Sequence, residues 1–375
     1  MKILLTGGGS GGHFYPIIAV AQEINKQIKE EKLINAEIYY MAPNPYNAGV
    51  LFENEIIYKS VSAGKIRRYF SILNFFDFFK TIFGVLGALI KVFNIYPDVV
   101  FGKGGYASFP TLFAARLLKI PVVIHESDTV PGKVNLWAGK FAEKIAVSYP
   151  EAGEYFKKEK VAYTGNPIRS EIVIPLKTGA HEYLKLEKNV PVIFILGGSQ
   201  GSQIINDVII DALPQLVEKY QILHQTGKNN LNLAKETANV VLDKNIKRER
   251  YKPFDYLNTL GMRMAAGAAN IIISRAGSTI FEIASWGVPS IIIPITNSNG
   301  DHQRKNAFAY ARSGAAIVIE ESNLSANILI SEINRIVNNP ETQNKMIKSA
   351  NDFFKPNAAA QIAKEIIDIA LKHEV

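Results

Sequence analysis

KILLTGGGSGGHFYPIIAVAQEI, residues 2–24, decides the fold. A short apolar run meets Gly7, Gly8, Gly9, Gly11 and Gly12, and an apolar-periodic segment follows. Glycine costs conformational entropy when ordered, so such a cluster implies a backbone that must turn tightly or be approached closely. The pattern predicts a strand, a glycine turn with His13 at its end, and a helix. PVIFILGGSQGSQIINDVIIDAL, residues 191–213, repeats the form.

A second pair of segments lies at similar depth in each half: PDVVFGKGGYASFPTLFAARLLKIPVVIHE (97–126) and ANIIISRAGSTIFEIASWGVPSIIIP (269–294). Each reads as a buried strand, a basic residue near glycine (Lys103, Arg275), a helix, a proline turn and another buried strand. Continuous Val/Ile runs alternating with helices imply a parallel sheet covered on both faces. The expected class is α/β: two Rossmann-like, doubly wound domains facing across a cleft. A chain of 375 residues suits two domains. The join is placed at TGNPIR, giving 1–164 and 165–355, with a final helix over 356–375 that carries Ile362, Ile366, Ile369 and Ala370 on one face.

The net charge of +8 points to an anionic partner. The chain has no cysteine, which excludes disulfides, thiolate metal sites and cysteine nucleophiles. No signal peptide is expected, because Lys2 is followed by only three apolar residues before the threonine and glycines. The most membrane-like stretch, residues 69–93, is broken by Asp77 and Lys80 and preceded by Lys65, Arg67 and Arg68. It suits a helix lying on a membrane surface or packed in a core.

Glycine turns at strand ends let backbone N–H groups approach an anion, and the next helix adds its positive end. Four such turns occur, at 7–12, 102–105, 197–201 and 275–278. The first lacks the Lys-Ser/Thr ending of a P-loop. No acidic residue stands clearly after the next strand, which disfavours a dinucleotide-dependent oxidoreductase. No Asp-x-Asp pair is present to clamp a metal on a diphosphate.

The ordered motifs TGGGSGGHFYP, GKGGYASFP, IHESDTVPGKVN, YTGNPIR, LGGSQGS, HQTGK, SRAGSTIFEIASWGVPSIIIP and DHQRKNA run from Thr6 to Ala307. Together they resemble the MurG family of peripheral membrane N-acetylglucosaminyltransferases. The resemblance implies the GT-B fold, a last helix that returns to the first domain, and inverting β-1,4 transfer of N-acetylglucosamine from UDP-N-acetylglucosamine to lipid I, giving lipid II and UDP. It implies no cofactor and no required metal. The expected partners are the two substrates and an anionic membrane, with cell-wall synthesis proteins as further candidates and no nucleic acid. The expected place is the cytoplasmic face of the plasma membrane, as a peripheral protein. The rival readings are another GT-B enzyme with a different acceptor, the oxidoreductase, and a non-catalytic lipid-binding protein.

The resemblance gives residues their expected roles. His13 is the favoured general base, with an unperturbed imidazole value near 6.5; the bland alternative is a phosphate contact or a loop-ordering residue. Glu126 and Asp128 are further catalytic candidates. Relatives often carry Gln-Asn where this chain has Ser127-Asp128, and an ionised Asp128 cannot donate the hydrogen bond of an asparagine. Ser10, Gly11, Gly12, Gly104, Gly105, Tyr106, His125 and Asp128 are expected on the acceptor side. Arg169, Ser199, Gln200, Phe254, Arg275, Ser278, Thr279, Glu282 and Gln303 are expected on the donor side, Phe254 against uracil and Glu282 on the ribose hydroxyls. A second glutamine common in relatives is missing beside Gln303, where His302 and Arg304 stand. Phe75, Phe76, Phe79 and Phe83 are the membrane-docking candidates, with a core stripe as the alternative.

Overall fold

The computed structural model describes residues 1–33, 35–65, 73–198, 201–296 and 298–373. The chain forms two compact units, Met1–Arg169 with Lys355–Val375, and Ser170–Phe354.

The N-terminal unit holds a parallel sheet of β1 (Lys2–Thr6), β2 (Glu37–Ala42), β3 (Ile56–Ser60), β4 (Val99–Gly102), β5 (Val122–Glu126), β6 (Lys144–Val147) and β7 (Val161–Tyr163). Its spatial order is β3-β2-β1-β4-β5-β6-β7. The order reverses between β1 and β4, whose registers pair Ile3 with Val99 and Thr6 with Gly102. In open α/β sheets, ligands bind outside the carboxyl ends of strands at such a reversal. The glycine turns after β1 and after β4 both lie there.

Alternation along β1 explains the layers. Ile3 and Leu5 join Phe14, Ile17 and Ile18 of the Gly11–Glu30 helix on one face. Leu4 joins Val100, Leu112 and Ile124 on the other. Successive strand residues point to opposite faces, so an all-apolar strand feeds two cores. The Ala358–His373 helix completes the first core with Ile362, Ile366, Ile369 and Ala370. It packs along the Gly11–Glu30 helix, and Gln27 Nε2 donates to Ala360 O at 3.0 Å.

The C-terminal unit repeats the plan with β8 (Val192–Leu196), β9 (Gln221–Gln225), β10 (Tyr251–Phe254), β11 (Ile271–Ser274), β12 (Ser290–Ile292) and β13 (Ala316–Val318). Its parallel order is β10-β9-β8-β11-β12-β13. The reversal falls between β8 and β11, where Ile193 pairs with Ile271 and Phe194 with Ile272. Its core is built from Ile193, Ile195, Ile209, Leu213, Ile271 and Ile273 among others.

The units divide five residues later than the sequence reading placed the join. The segment around Gly165 is held by the N-terminal unit. His125 Nε2 lies 3.1 Å from Gly165 O, and the Arg169 guanidinium sits 4.0 Å above the Tyr15 ring. Lys355 Nζ lies 5.5 Å over the Tyr163 ring, which places the return of the chain one residue earlier than expected.

The Leu73–Ile95 helix buries Ala88, Val92 and Ile95. Phe75, Phe79, Ile82, Phe83, Leu86, Ile90 and Phe93 are exposed, Phe75 by 63% and Phe83 by 69%. Their spacing puts them along one stripe. The stripe is therefore a surface feature, and the core alternative fails for these side chains. The Phe76 side chain, like Arg67 and Arg68, lies outside the described residues. Among the described residues, no helix is long and apolar enough to cross a membrane.

Candidate functional site

In the N-terminal unit the helix begins at Gly11, earlier than the sequence suggested. Gly11 and Gly12 are helical, and His13 sits in the first turn, not at the end of a loop. Ser10 is the N-cap, and its side chain makes no capping bond. The first N–H groups of a 20-residue helix are thus left to meet an anion. The turn that delivers the chain there needs glycine at Gly9, with φ of 89°, where a Cβ would stand 3.0 Å from the Tyr106 ring. Gly104 has φ of 83°, and a Cβ there would stand 2.7 Å from Asn135 Nδ2. Tyr106 opens the short 3-10 turn that follows Gly105.

Beneath these turns lies a cluster of ionisable groups. His13 is half-buried, and its shielded Nδ1 has no hydrogen-bond partner among the described residues. Burial first, and the Lys103 ammonium second, lower its imidazole to about 4, while Asp128 pulls the other way. A neutral imidazole at neutral pH can accept a proton. Glu126 is buried and accepts three N–H bonds: from Asp128 N at 3.0 Å, Gly132 N at 3.0 Å and Asn135 Nδ2 at 2.9 Å. Burial and then Asp128 raise its carboxyl, against Lys103 and these donors. All three partners are N–H donors and match the ionised form. Through these bonds Glu126 orders the loop that follows β5. His125 is fully buried. Its Nε2 lies 3.1 Å from Gly165 O and 3.2 Å from Ser148 Oγ, so it carries the proton on Nε2 toward the carbonyl. Burial and Lys103 push its imidazole well below the usual value. Gly165 and Ser148 thus hold His125 inside the strand end. Asp128 is partly exposed and remains beside His13.

In the C-terminal unit, Gly197, Gly198 and Gly201 follow β8, and Ser202 caps the Gln203–Lys219 helix. Ser199 and Gln200 lie outside the described residues. Arg275 follows β11 and is nearly buried. Its Nη1 donates to Ile293 O at 3.0 Å, and its Nη2 reaches Ser202 Oγ at 2.5 Å and Glu321 Oε1 at 2.6 Å. Through Nη1 and Nη2 the guanidinium joins three loops. Ser278 and Thr279 open the Thr279–Trp286 helix with no side-chain cap, and Glu282 stands partly exposed in its first turn. Gln303 Oε1 accepts from Ile295 N at 3.2 Å. Phe254 closes β10 and is half-buried. It lines, with Tyr183, Lys185, Lys252 and Tyr256, a cavity of about 470 Å³. Arg169, read as a donor-side residue, belongs to the N-terminal unit.

The sequence reading left Lys103, Asn135 and Glu321 without roles. Asn135 stands inside a quoted motif, nine residues beyond Glu126, but only the fold turns it back onto that carboxylate.

Two open parallel sheets, each with glycine turns at its reversal point, are the architecture of the GT-B fold. Residues 3–147 match the glycosyltransferase family 28 N-terminal domain, and residues 192–365 the family 28 C-terminal domain. A UDP-N-acetylglucosamine–N-acetylmuramyl-(pentapeptide) pyrophosphoryl-undecaprenol N-acetylglucosamine transferase of Bacillus thuringiensis (strain Al Hakam) is 37% identical over 354 residues, covering 93% of this chain and 95% of that protein. The like-named transferase of Clostridium novyi (strain NT) is 36% identical over 365 residues, covering 96% of each. The crystal structure of Acinetobacter baumannii MurG superposes with a TM-score of 0.72 at 24% identity, over 98% of this chain and 99% of that one, which supports the fold. The chain belongs to glycosyltransferase family 28 and, within it, to the MurG family that these curated relatives represent.

Proposed function

We propose that the protein transfers N-acetylglucosamine from UDP-N-acetylglucosamine to the muramyl sugar of undecaprenyl-diphosphate-linked lipid I, giving lipid II and UDP. The relatives named for this transfer align over nearly the whole chain. The observation that carries the chemistry is His13: a neutral imidazole in the first turn of an uncapped helix, at the reversal point of its sheet. In the reaction the acceptor hydroxyl oxygen bonds to the anomeric carbon as its proton passes to His13. The bond from that carbon to the UDP oxygen breaks, and UDP leaves with the electron pair. Configuration inverts.

The N–H groups at Gly11 and Gly12, with the Gly104–Gly105 turn and Tyr106, suit the acceptor diphosphate. In the C-terminal unit, the uncapped helix at Ser278 and Thr279 suits the UDP diphosphate. Glu282 suits two ribose hydroxyls, and Phe254 offers a ring face to uracil. Charge on the leaving group is met by main-chain amides and helix ends, with no resident metal.

Action at an anionic membrane surface is supported by the exposed apolar stripe of the Leu73–Ile95 helix, the sequence's upstream basic residues and the net charge of +8. Incubating the purified protein with UDP-N-acetylglucosamine and a lipid I analogue tests the reading. Release of UDP with formation of the disaccharide product is expected, and neither should occur with His13→Ala above a small residue. Turnover with UDP-N-acetylglucosamine only on an unrelated acceptor would favour the rival glycosyltransferase reading.

A further inference from the structure

Lys103 is 1% exposed, and its Nζ is buried with no hydrogen-bond partner among the described residues. Its backbone N–H donates to Thr6 O at 2.9 Å, which fixes it directly beneath the first glycine turn. A Cβ on Gly7 would stand 3.0 Å from the Lys103 Cβ. A buried ammonium without bonds is costly and calls for a reason.

The surroundings supply one. Glu126 and Asp128 act on Lys103 as counter-charges. His13 and His125 both feel its charge as repulsive. The His13 ring packs on the same loop, since a Cβ on Gly105 would stand 3.4 Å from its Nε2. The charged and titratable groups that act on His13 are therefore Lys103 from the loop after β4, and His125 and Asp128 from the end of β5. Burial lowers Lys103 to about 8, so it is predominantly charged at neutral pH.

We propose that Lys103 is a positioning residue for the transfer reaction: its buried charge, fixed beneath the glycine turn that leads to His13 and offset by the Glu126 and Asp128 carboxylates, keeps the imidazole free to take the acceptor's proton. This rests on His13 being the base, as read above. The need follows from the substrate. An acceptor diphosphate brings negative charge to the helix end, and negative charge beside an imidazole favours its protonated, inactive form. Asp128 adds to that pull. A fixed cation beneath the loop opposes both.

The test is the titration of His13 in the free protein, followed by NMR on histidine labelled with carbon-13, in the parent and in Lys103→Met, Lys103→Arg and Asp128→Asn. The parent imidazole should stay neutral down to about pH 4. Lys103→Met should raise its midpoint by about one pH unit. Lys103→Arg should restore it, and Asp128→Asn should move it down. The acid limb of kcat/KM should follow the same order. Replacing an unpaired buried charge with an apolar side chain favours folding, and Lys103→Gln serves equally should Met disturb the loop. A folded Lys103→Met or Lys103→Gln with an unmoved His13 midpoint overturns the proposal, whatever its activity. A parent that transfers no sugar overturns the functional reading instead, and the titration still decides whether Lys103 controls the ring.

Discussion

Arg275 Nη2 lies 2.6 Å from Glu321 Oε1, and each side chain of the pair is only 11% exposed. Glu321 Oε2 in turn accepts from Thr296 N at 2.8 Å and Thr296 Oγ1 at 2.6 Å. Burial works to raise the Glu321 carboxyl, but the Thr296 and Arg275 bonds outweigh it and hold it below the usual range. One carboxylate thus ties the loop after β12 to the guanidinium that reaches Ser202 at the β8 turn. Removing one partner of such a pair leaves the other buried and uncompensated.

Glu321→Ala should therefore cost about 3 kcal/mol of unfolding free energy. Because the loops it joins lead to Ser278, Gln303 and the β8 glycines, KM for UDP-N-acetylglucosamine should rise more than kcat falls. Urea denaturation and steady-state kinetics check both. A variant with unchanged stability would show that Arg275 is held well enough without it.

The doubled strand–turn–helix pattern at Gly7 and Gly197 was legible because a buried parallel strand and a glycine turn are local signals. The exposed state of Phe79 and Phe83 was not decidable, since a core stripe and a surface stripe share one period; only the packing of Ala88 and Val92 inward settles it. Gly11 and Gly12 read as loop from composition, yet the helix claims them because its first residues need no intrahelical N–H partners. The roles of Arg275, Asn135 and His125 were hidden for another reason. Each depends on partners far along the chain, such as Glu321, Glu126 and Gly165, which no spacing rule places together.

Stability should fall on mild acidification. His224 is fully buried. Its Nδ1 lies 3.0 Å from Tyr251 Oη and its Nε2 3.0 Å from Asn206 Oδ1. The Asn206 amide nitrogen donates to Thr226 O, so its oxygen must accept, and His224 carries its proton on Nε2. Burial lowers the imidazole from 6.5 to about 3. Between those values the unfolded chain binds a proton that the folded chain refuses, so stability rises with pH across the window. The loss between pH 6.5 and 5 is about 2 kcal/mol for His224 alone. His13 and His125 shift in the same direction, and Glu126, whose carboxyl is raised, in the opposite one. Denaturation at pH 7.5 and 5.0 should show the loss, and His224→Gln should lessen it. Equal losses in both proteins would rule out His224 as a source.

Turnover should survive metal removal. The chain has no Asp-x-Asp pair, and in the proposed reaction the uncapped N-termini at Ser10 and Ser278 are the donors to the two diphosphates. Activity in excess EDTA should stay within about twofold of activity with magnesium, since 1.4 kcal/mol, a factor of ten, is the scale of losing one charge-assisted contact. A loss of a hundredfold restored by magnesium would place a cation in the reaction and refute the amide-only account.

The exposed stripe of the Leu73–Ile95 helix should decide membrane binding independently of turnover. Leu86 and Ile90 lie on it, 52% and 64% exposed, and belong to neither group of site residues. Burying one such side chain is worth about 1.5–3 kcal/mol, so replacing two with serine should weaken partition by at least about tenfold. Leu86→Ser with Ile90→Ser should bind poorly to vesicles containing phosphatidylglycerol, while its melting temperature and its rate on a water-soluble acceptor stay at the parent's. High salt should weaken the parent's binding as well, because the charge of +8 adds a screened attraction to the anionic surface. Equal vesicle binding by the double variant and the parent would move the docking surface elsewhere on the protein.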